Sequence, residues 1–257
     1  MPRRQRTTTA GVIFHVVNRG ARRGLLFDSD TDYYAFETLM LEAVRRFDVA
    51  LLAYCLMPNH WHFVISSPAG RTLSRFMHWL TTTHARRWRH VHGTDGEGAV
   101  YQGRFKAIPI AADDHFLWVC RYVERNACRA SLVERAEDWK WSSLWQLQNN
   151  PEATWLATWP VPRPRNWVEC LNLPQTAAEV EDFRERVRGG QPFGDEEWRT
   201  SMLREMGRLA KRPPGRPRRS VSSKKDSRPQ FLTPTLPSPF AGLFRGAKYN
   251  FWSCRRI

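Results

Sequence analysis

The stretch Ala53-Tyr54-Cys55-Leu56-Met57-Pro58-Asn59-His60-Trp61-His62-Phe63-Val64-Ile65 decides the fold, because it reads as two apolar strands joined by a turn. The Pro58-Asn59 pair ends the first apolar run and is typical of a tight turn. Side chains alternate between the two faces of a strand, so the pattern places His60 and His62 on one face and Trp61 in a core on the other. Two imidazoles side by side on a strand can bind a metal ion.

A second His-x-His pair in the chain makes this spacing weak evidence by itself. His90 and His92 follow a helical pattern and precede Gly93, so they are predicted to lie at the end of a helix. Residues two apart on a helix do not face each other. We therefore interpret His90 and His92 as solvated or phosphate-facing side chains, and support for a metal site at the first pair has to come from elsewhere in the chain.

Periodicity along the first half of the chain alternates between strand and helix. Apolar residues that recur every second position predict strands, and those three and four apart predict helices. The predicted order is a strand at 11–19, a helix capped by Asp30 or Thr31 and running to about 47, strands at 49–56 and 60–66, a helix at 73–90, a strand at 100–110 and a helix at 115–128. This order predicts an α+β fold, a ferredoxin-like or RRM-like antiparallel sheet with helices on one face.

The length of 257 residues suits one domain with extensions or two small domains. We predict a folded domain over residues 1–150, a Trp- and Pro-rich, partly helical extension over 151–210, and a basic tail over 211–257 that is expected to be disordered. The net charge is +15, and most of it falls at the C-terminal end, because residues 208–257 hold 13 basic residues and 1 acidic residue. No apolar run approaches the length of a membrane span, so no membrane contact is expected.

A second group of reactive side chains lies in the last predicted helix, in Arg121-Tyr122-Val123-Glu124-Arg125-Asn126. Tyr122 and Asn126 are four residues apart and therefore share a helix face. A phenol is a covalent nucleophile when a metal or a base activates it, and two imidazoles with an amide oxygen can hold a divalent ion. The competing interpretation is that Tyr122 is a half-buried packing residue and Asn126 a helix cap.

Five motifs in chain order carry a resemblance to a known family. They are Phe14-His15-Val16-Val17-Asn18-Arg19-Gly20, the part of the opening stretch from Ala53 to His62, Tyr101-Gln102-Gly103-Arg104-Phe105-Lys106, the helix motif that contains Tyr122, and Trp141-Ser142-Ser143. Over roughly residues 10–145 the chain resembles the single-tyrosine HUH transposases of the insertion-sequence-200-like superfamily. Within that superfamily it is most similar to the REP-associated tyrosine transposases of bacteria.

The resemblance implies a mechanism and a set of ligands. His60, His62 and Asn126 would hold a divalent ion, Mg²⁺ or Mn²⁺, of which Mn²⁺ suits imidazole ligands better. Tyr122 would be catalytic: it would cut single-stranded DNA at the hairpin of a repetitive extragenic palindrome, keep a 5′-phosphotyrosine and release a 3′-OH. The family commonly has Asn-Pro-Val-Arg-Ala where this chain has Asn126-Ala127-Cys128-Arg129-Ala130, and loss of the proline predicts a slightly longer helix.

Basic residues that lie near aromatic residues are candidate DNA contacts, because single-stranded DNA is held by cationic grooves and by stacking. We predict such contacts in the folded domain for Arg19, Arg22, Arg23, Arg104 and Lys106. We predict two more, Arg216 and Arg218, in a tail segment that resembles a minor-groove hook. A solvated surface and a generic basic linker are the competing interpretations.

Three functions remain open from the sequence. The first is a strand-transferring DNA nuclease that uses Tyr122, acting on a DNA hairpin as a monomer or homodimer in the bacterial cytoplasm, associated with the nucleoid. The second is a non-catalytic nucleic-acid-binding protein built on a sheet platform, although the chain lacks the two aromatic-rich sheet motifs of such modules. The third is a metal-dependent hydrolase that uses water instead of the tyrosine.

Overall fold

A four-stranded antiparallel sheet forms the centre of the computed structural model, which describes residues 11–68, 71–150 and 152–207. Its strands are β1 (Ile13–Arg19), β2 (Ala50–Met57), β3 (His60–Ser66) and β4 (Lys106–Ile110). They lie in the order β2-β3-β1-β4, and each neighbouring pair is antiparallel. This arrangement is that of the ferredoxin-like fold, so the predicted α+β class is confirmed.

The hairpin predicted from the opening stretch is formed by β2 and β3. In its register Met57 lies opposite His60, and Cys55 lies opposite His62. Trp61 is fully buried on the other face, where its ring stacks on Phe63 with the centroids 4.5 Å apart. The three residues His60, Trp61 and His62 therefore face as the alternation predicts.

Two helices cover the face of the sheet that carries Trp61. They are α1 (Asp30–Phe47) and α2 (Thr72–Val91). Phe14, Trp61 and Phe63 are buried beneath them in one apolar cluster. The predicted helices are therefore present, with bounds shifted by a residue at most.

The first of these helices begins one residue earlier than predicted. Ser29, rather than Asp30 or Thr31, is the N-terminal cap of α1. Its hydroxyl accepts a hydrogen bond from Asp32 N, and the Asp32 carboxylate accepts one from Ser29 N. This reciprocal pair satisfies two amide groups that the first helical turn leaves without partners, which is why the helix starts there.

Helices also cover the second face of the sheet, which corrects the prediction of helices on one face alone. The helix α3 (Asp114–Glu124) packs there against β2 and β3. Ile13, Cys55 and Val64 lie beneath it in a second apolar cluster. Both alternating sets of residues in the central strands are apolar, so each face of the sheet requires a cover.

The helix α3 ends at Glu124, so the longer helix predicted up to residue 128 is wrong. At Arg125 the backbone has ψ of 3°, which breaks the helix, and the short helix α4 (Asn126–Arg129) follows. The Arg129 side chain turns back and donates from Nη2 to the carbonyl oxygen of Tyr122 at 2.9 Å. That bond satisfies a carbonyl group in the last turn of α3, which compensates for the interrupted helix.

The strand predicted over residues 100–110 is confined to β4. The residues before it form a loop that is held by backbone hydrogen bonds, from Ala21 N to Val100 O at 2.8 Å and from Gln102 N to Arg19 O at 2.9 Å. These bonds attach the loop to the end of β1 and to the turn after it, so the first part of the predicted strand pairs with a turn rather than with the sheet.

Four α-helices follow α4 in the described ranges, and the first three of them add residues to the apolar cluster of the second face. They are α5 (Ser143–Asn149), α6 (Trp167–Asn172), α7 (Ala177–Gly189) and α8 (Glu196–Glu205). The fully buried Glu124 joins three of the helices, because its carboxylate accepts hydrogen bonds from Ser143 Oγ at 2.6 Å and from Trp167 Nε1 at 2.7 Å. Further along, Phe193 N donates to Pro109 O at 2.9 Å, which places that segment beside β4.

The tail predicted at 211–257 lies outside the described residues, and so do Arg216 and Arg218. Within the described ranges, none of the helices combines the length and the apolarity that crossing a bilayer requires.

Candidate active site

His60 and His62 lie side by side on β3. Their ring centroids are 5.1 Å apart, and the ring planes are inclined at 82°. His62 is buried and His60 is half-buried, and both line a cavity of about 790 Å³. The strand therefore brings two imidazoles to the wall of one cavity, close enough together to bind the same ion.

A hydrogen bond fixes the orientation of each imidazole. His60 Nδ1 lies 2.7 Å from Asn59 Oδ1, and because an amide oxygen only accepts, His60 carries its proton on Nδ1 and keeps a lone pair on Nε2. His62 Nδ1 lies 2.8 Å from His15 Nε2. When His62 is the donor in that pair, its Nε2 also keeps a lone pair, which is the tautomer that a metal ion requires.

Both imidazoles are neutral at physiological pH. Burial, assisted by the positive charges of Arg19, Arg129 and Arg184, lowers the pKa of His60 to about 3. Burial also lowers the pKa of His62 well below its usual range. Neutral imidazole is the form that binds a metal, so no proton has to be displaced from these rings when an ion binds.

Tyr122 extends from α3 to the same cavity. Its ring is nearly perpendicular to that of His62, with the centroids 5.7 Å apart. The guanidinium carbon of Arg129 lies 4.0 Å from the centroid of the Tyr122 ring, and the ring of Phe183 packs against it at 4.7 Å. These contacts fix the phenol ring beside the imidazole pair.

Asn126 lies at the start of α4, close to Tyr122 in sequence but not on the cavity wall. Its side chain is buried, and its Oδ1 accepts a hydrogen bond from Arg129 Nη2 at 3.0 Å. Its Nδ2 is buried without a hydrogen-bond partner in the described part of the chain. The amide oxygen of Asn126 is therefore shared with Arg129 and keeps one lone pair for another partner.

The wall of the cavity is strongly basic. Four of the predicted DNA contacts line it, namely Arg19, Arg23, Arg104 and Lys106. The helix α7 adds Arg184 and Arg188, and it also adds Glu181, which forms an ion pair with Arg188. Arg22 lines a neighbouring cavity instead. The excess of positive charge around the imidazoles and the phenol suits a polyanion.

A second groove of similar volume, about 790 Å³, adjoins this cavity. It shares Asn18, Gly103 and Arg104 with the first cavity, and α2 contributes Arg86 and Arg89 to it. The two spaces therefore form a continuous basic surface that runs from the imidazole pair to α2.

Three parts of this site were not predicted from the sequence. His15 lies on β1, in the same motif as Arg19, and its position on the face of the imidazoles follows from strand alternation only once β1 is known to pair with β3. Arg129 reaches Tyr122 through the break after α3. Arg184 and Arg188 belong to the helix α7, from which the sequence predicted no site residue.

The side chains present fit a divalent ion. Two neutral imidazoles that can keep lone pairs on Nε2 supply two nitrogen donors of the kind that such ions accept. Within the described ranges, no group of three His, Cys, Asp or Glu side chains is arranged to hold a metal ion. The third donor would therefore be an amide, and the buried, unpartnered Nδ2 of Asn126 shows that this side chain is not fully locked by hydrogen bonds.

The fold and the site together define a class, an α+β protein of ferredoxin-like topology with a phenol and an imidazole pair on one basic cavity. Residues 8–126 match the model of the IS200-like transposase family. The matched segment runs from before β1 to the start of α4, so it includes His60, His62, Tyr122 and Asn126.

Two solved structures are also similar to the chain. One is a REP-associated tyrosine transposase bound to a REP hairpin; it is 19% identical, the alignment covers 69% of this chain and 95% of that chain, and the TM-score is 0.47. The other is a candidate transposase from Deinococcus radiodurans R1, with 13% identity, coverage of 47% of this chain and 95% of that chain, and a TM-score of 0.36. No curated protein matches the chain. The fold assignment rests on the strand order rather than on these likenesses.

Proposed function

We propose that this chain is a tyrosine transposase that cuts and rejoins one strand of DNA through a 5′-phosphotyrosine. The observation that carries the proposal is the meeting of Tyr122, from α3, with His60 and His62, from β3, on the wall of one basic cavity. Residues 1–150 form the nuclease domain in this proposal, and the extension at 151–210 contributes α7 as one side of the cavity.

The cutting step exchanges one phosphate ester for another. Tyr122 Oη bonds to phosphorus, and the bond between phosphorus and the 3′-oxygen of the preceding nucleotide breaks. The phenol gives up its proton and the departing 3′-oxygen gains one, so the products are a 5′-phosphotyrosine and a 3′-OH. Attack by a 3′-OH on the phosphotyrosine reverses the exchange, so rejoining a strand needs no further energy source.

A divalent ion, Mg²⁺ or Mn²⁺, held by His60, His62 and Asn126, would polarise the phosphate that Tyr122 attacks. The two imidazoles are held for this role by Asn59 and His15. Imidazole donors favour Mn²⁺ over Mg²⁺, so we propose that Mn²⁺ binds more tightly.

The DNA path follows the basic surface. Arg19, Arg23, Arg104 and Lys106 contact the phosphates next to the scissile bond, since all four line the cavity that holds Tyr122. The strand then continues past Arg104 into the groove beside α2, where Arg86 and Arg89 add positive charge. Contacts of this kind give affinity without sequence preference and weaken as salt rises.

The substrate in this proposal is the imperfect hairpin of a repetitive extragenic palindrome with a short single-stranded flank. The motifs over residues 10–145 that resemble the REP-associated transposases support that choice. The protein would act as a monomer or homodimer at the bacterial nucleoid in the cytoplasm, and Arg216 and Arg218 would add contacts in the minor groove.

The test is a covalent-adduct assay with Mn²⁺ and a hairpin oligonucleotide taken from palindromic repeats beside the gene. The label is placed at the 3′ end, because the fragment that keeps the 5′-phosphate stays on the protein. We expect a labelled protein band that Tyr122→Phe abolishes. Tyr34→Phe is the matched control, since Tyr34 is an exposed tyrosine of α1 that does not line the cavity, and it should keep the band.

Each other outcome of this assay rejects the proposal in a different way. An adduct that persists in Tyr122→Phe would assign the nucleophile elsewhere. Strand cutting that survives Tyr122→Phe without an adduct would indicate a hydrolase that uses water. Hairpin binding with neither cutting nor adduct in the unmodified protein would indicate a non-catalytic nucleic-acid-binding protein.

A further inference from the structure

Asn59, in the turn between β2 and β3, joins a candidate metal ligand to a candidate DNA contact. Its Oδ1 accepts a hydrogen bond from His60 Nδ1 at 2.7 Å. Its Nδ2 donates to the carbonyl oxygen of Arg23 at 3.3 Å. One amide group therefore contacts the imidazole on one side and the backbone of the turn at residues 20–24, the arginine turn, on the other.

The arginine turn has a strained backbone. Arg22 and Arg23 have φ of 52° and 63°, in the left-handed region that residues with a side chain rarely adopt. Gly20 N donates to Asn59 O at 2.8 Å, and a Cβ at Gly20 would clash with the carbonyl oxygen of Gly24. The turn therefore packs directly on the turn that carries Asn59, and its conformation has to be stabilised by its surroundings.

The side chains of the arginine turn are exposed and available to an anion. Arg22 and Arg23 form no ion pair with any residue of the described ranges, and Arg23 lines the cavity that holds His60. Phosphate groups of a bound DNA strand would contact both guanidinium groups and so favour the left-handed conformation. In that conformation the Arg23 carbonyl is in place to hold the Asn59 amide.

We propose that Asn59 is a positioning residue that couples DNA binding at the arginine turn to metal binding at His60, an inference that rests on the proposed function. DNA stabilises the arginine turn, the Arg23 carbonyl orients the Asn59 amide, and the Asn59 oxygen keeps the His60 Nε2 lone pair directed into the cavity. Because such coupling is reciprocal, a bound ion strengthens DNA binding by the same factor as DNA strengthens ion binding.

The experiment measures Mn²⁺ affinity rather than activity. Full-length Tyr122→Phe protein serves as the parent, so that DNA is not cut, and free Mn²⁺ is followed by electron paramagnetic resonance. The titration is made without DNA and with saturating oligothymidine of about 20 nucleotides, and Mn²⁺ bound by the DNA alone is subtracted. We expect the oligothymidine to lower the Mn²⁺ Kd of the parent at least about fivefold.

Two substitutions at Asn59 separate its two hydrogen bonds. Asn59→Ala removes the acceptor of His60 Nδ1, so the Mn²⁺ Kd without DNA should rise about 10- to 100-fold. Asn59→Asp keeps an acceptor oxygen for His60 but has no N–H to donate to Arg23 O. Asn59→Asp should therefore bind Mn²⁺ at least as tightly as the parent without DNA, yet lose the gain that oligothymidine brings.

The inference is overturned if Asn59→Ala binds Mn²⁺ as the parent does, or if Asn59→Asp keeps the full gain from DNA. The second variant decides the matter even if Asn59→Ala does not fold. His60→Ala distinguishes this inference from the proposed function. An unchanged Mn²⁺ Kd in His60→Ala would contradict the metal site itself. A raised Mn²⁺ Kd in His60→Ala together with an unchanged Kd in Asn59→Ala would contradict only the role of Asn59.

Discussion

Three buried side chains form a chain of hydrogen bonds in the core beneath α2. Trp61 Nε1 donates to Tyr101 Oη at 3.4 Å, and Tyr101 Oη lies 2.7 Å from His84 Nδ1. Burial lowers the pKa of His84 to about 3, so its ring is neutral and Nδ1 can accept the proton of the Tyr101 hydroxyl. Trp61, the residue between the two candidate metal ligands, is thus anchored by a hydrogen bond as well as by packing.

We expect His84 to make the protein less stable as pH falls below about 6.5. The unfolded chain binds a proton at this ring near its ordinary pKa of 6.5, whereas the folded chain does so only near 3. The contribution of His84 is therefore complete above pH 6.5 and is lost as pH falls. Between pH 7.5 and 5.5 this one group should remove about 1 kcal/mol from the free energy of unfolding.

The measurement is urea unfolding at both pH values for the unmodified protein and for His84→Gln, whose amide oxygen keeps an acceptor for Tyr101. Over that interval the free energy of unfolding of His84→Gln should fall about 1 kcal/mol less, because the titrating ring is gone. The other buried imidazoles are common to both proteins and cancel in the comparison. An equal fall in both proteins would contradict a neutral, buried His84.

At the residue scale the sequence predicts what depends on alternation alone. The facing of His60, Trp61 and His62 follows from the two-residue period of a strand. The contact of His15 with His62 does not, because it depends on the register of β1 against β3, in which His62 lies opposite Val17 and His15 is its diagonal neighbour.

At the scale of elements, α7 is the part of the site that packing rather than sequence pattern places. Phe183 is fully buried against the rings of Tyr122 and His15, with centroid distances of 4.7 and 5.1 Å. That burial fixes how the helix is rotated about its axis, and the rotation puts Arg184 and Arg188 on the cavity wall. The sequence of this helix is that of an ordinary amphipathic surface helix.

We expect Arg184→Gln to weaken the binding of single-stranded DNA of any sequence. A phosphate contact releases a counterion, so its loss should make the plot of log affinity against log salt shallower by about 0.7. Fluorescence anisotropy with labelled oligothymidine in EDTA, at a series of NaCl concentrations, measures that slope without cutting.

The matched control lies on the same helix. Arg186 pairs with Asp182 at 3.0 Å and does not line the cavity, so Arg186→Gln makes the same charge change without losing a phosphate contact. Its slope should stay at the value of the unmodified protein. Equal slopes for Arg184→Gln and Arg186→Gln would show that α7 acts through net charge and does not touch the DNA.

Other features of the elements show why boundaries are harder to predict than elements. The hairpin and the first two helices could be predicted, because their periodicity is long and the hairpin carries turn residues. The end of α3 could not, because the break at Arg125 is stabilised by a side chain, Arg129, that returns to the carbonyl of Tyr122. The loop before β4 is apolar enough to resemble a strand but pairs with the arginine turn.

At the scale of the whole molecule, the sequence predicts the sheet but not what covers it. Cys55 and Val64 lie under α3, and the extension after residue 151 adds Trp167 and Phe183 to the same apolar cluster. An apolar strand residue indicates that something covers it, without indicating which element does so. The cavity exists because β3, α3 and α7 meet there, and that meeting is a property of the tertiary structure.

The most direct test of the central claim, that Tyr122 becomes covalently joined to DNA, is to identify the modified residue. The full-length protein is incubated with Mn²⁺ and the hairpin oligonucleotide, and the adduct is digested with a nuclease and with trypsin. Since Arg121 and Arg125 flank the segment, we expect mass spectrometry to find the peptide Tyr122-Val123-Glu124-Arg125 carrying a 5′-nucleotide on the tyrosine. A nucleotide on any other peptide, or cut DNA with no modified peptide, would contradict the claim.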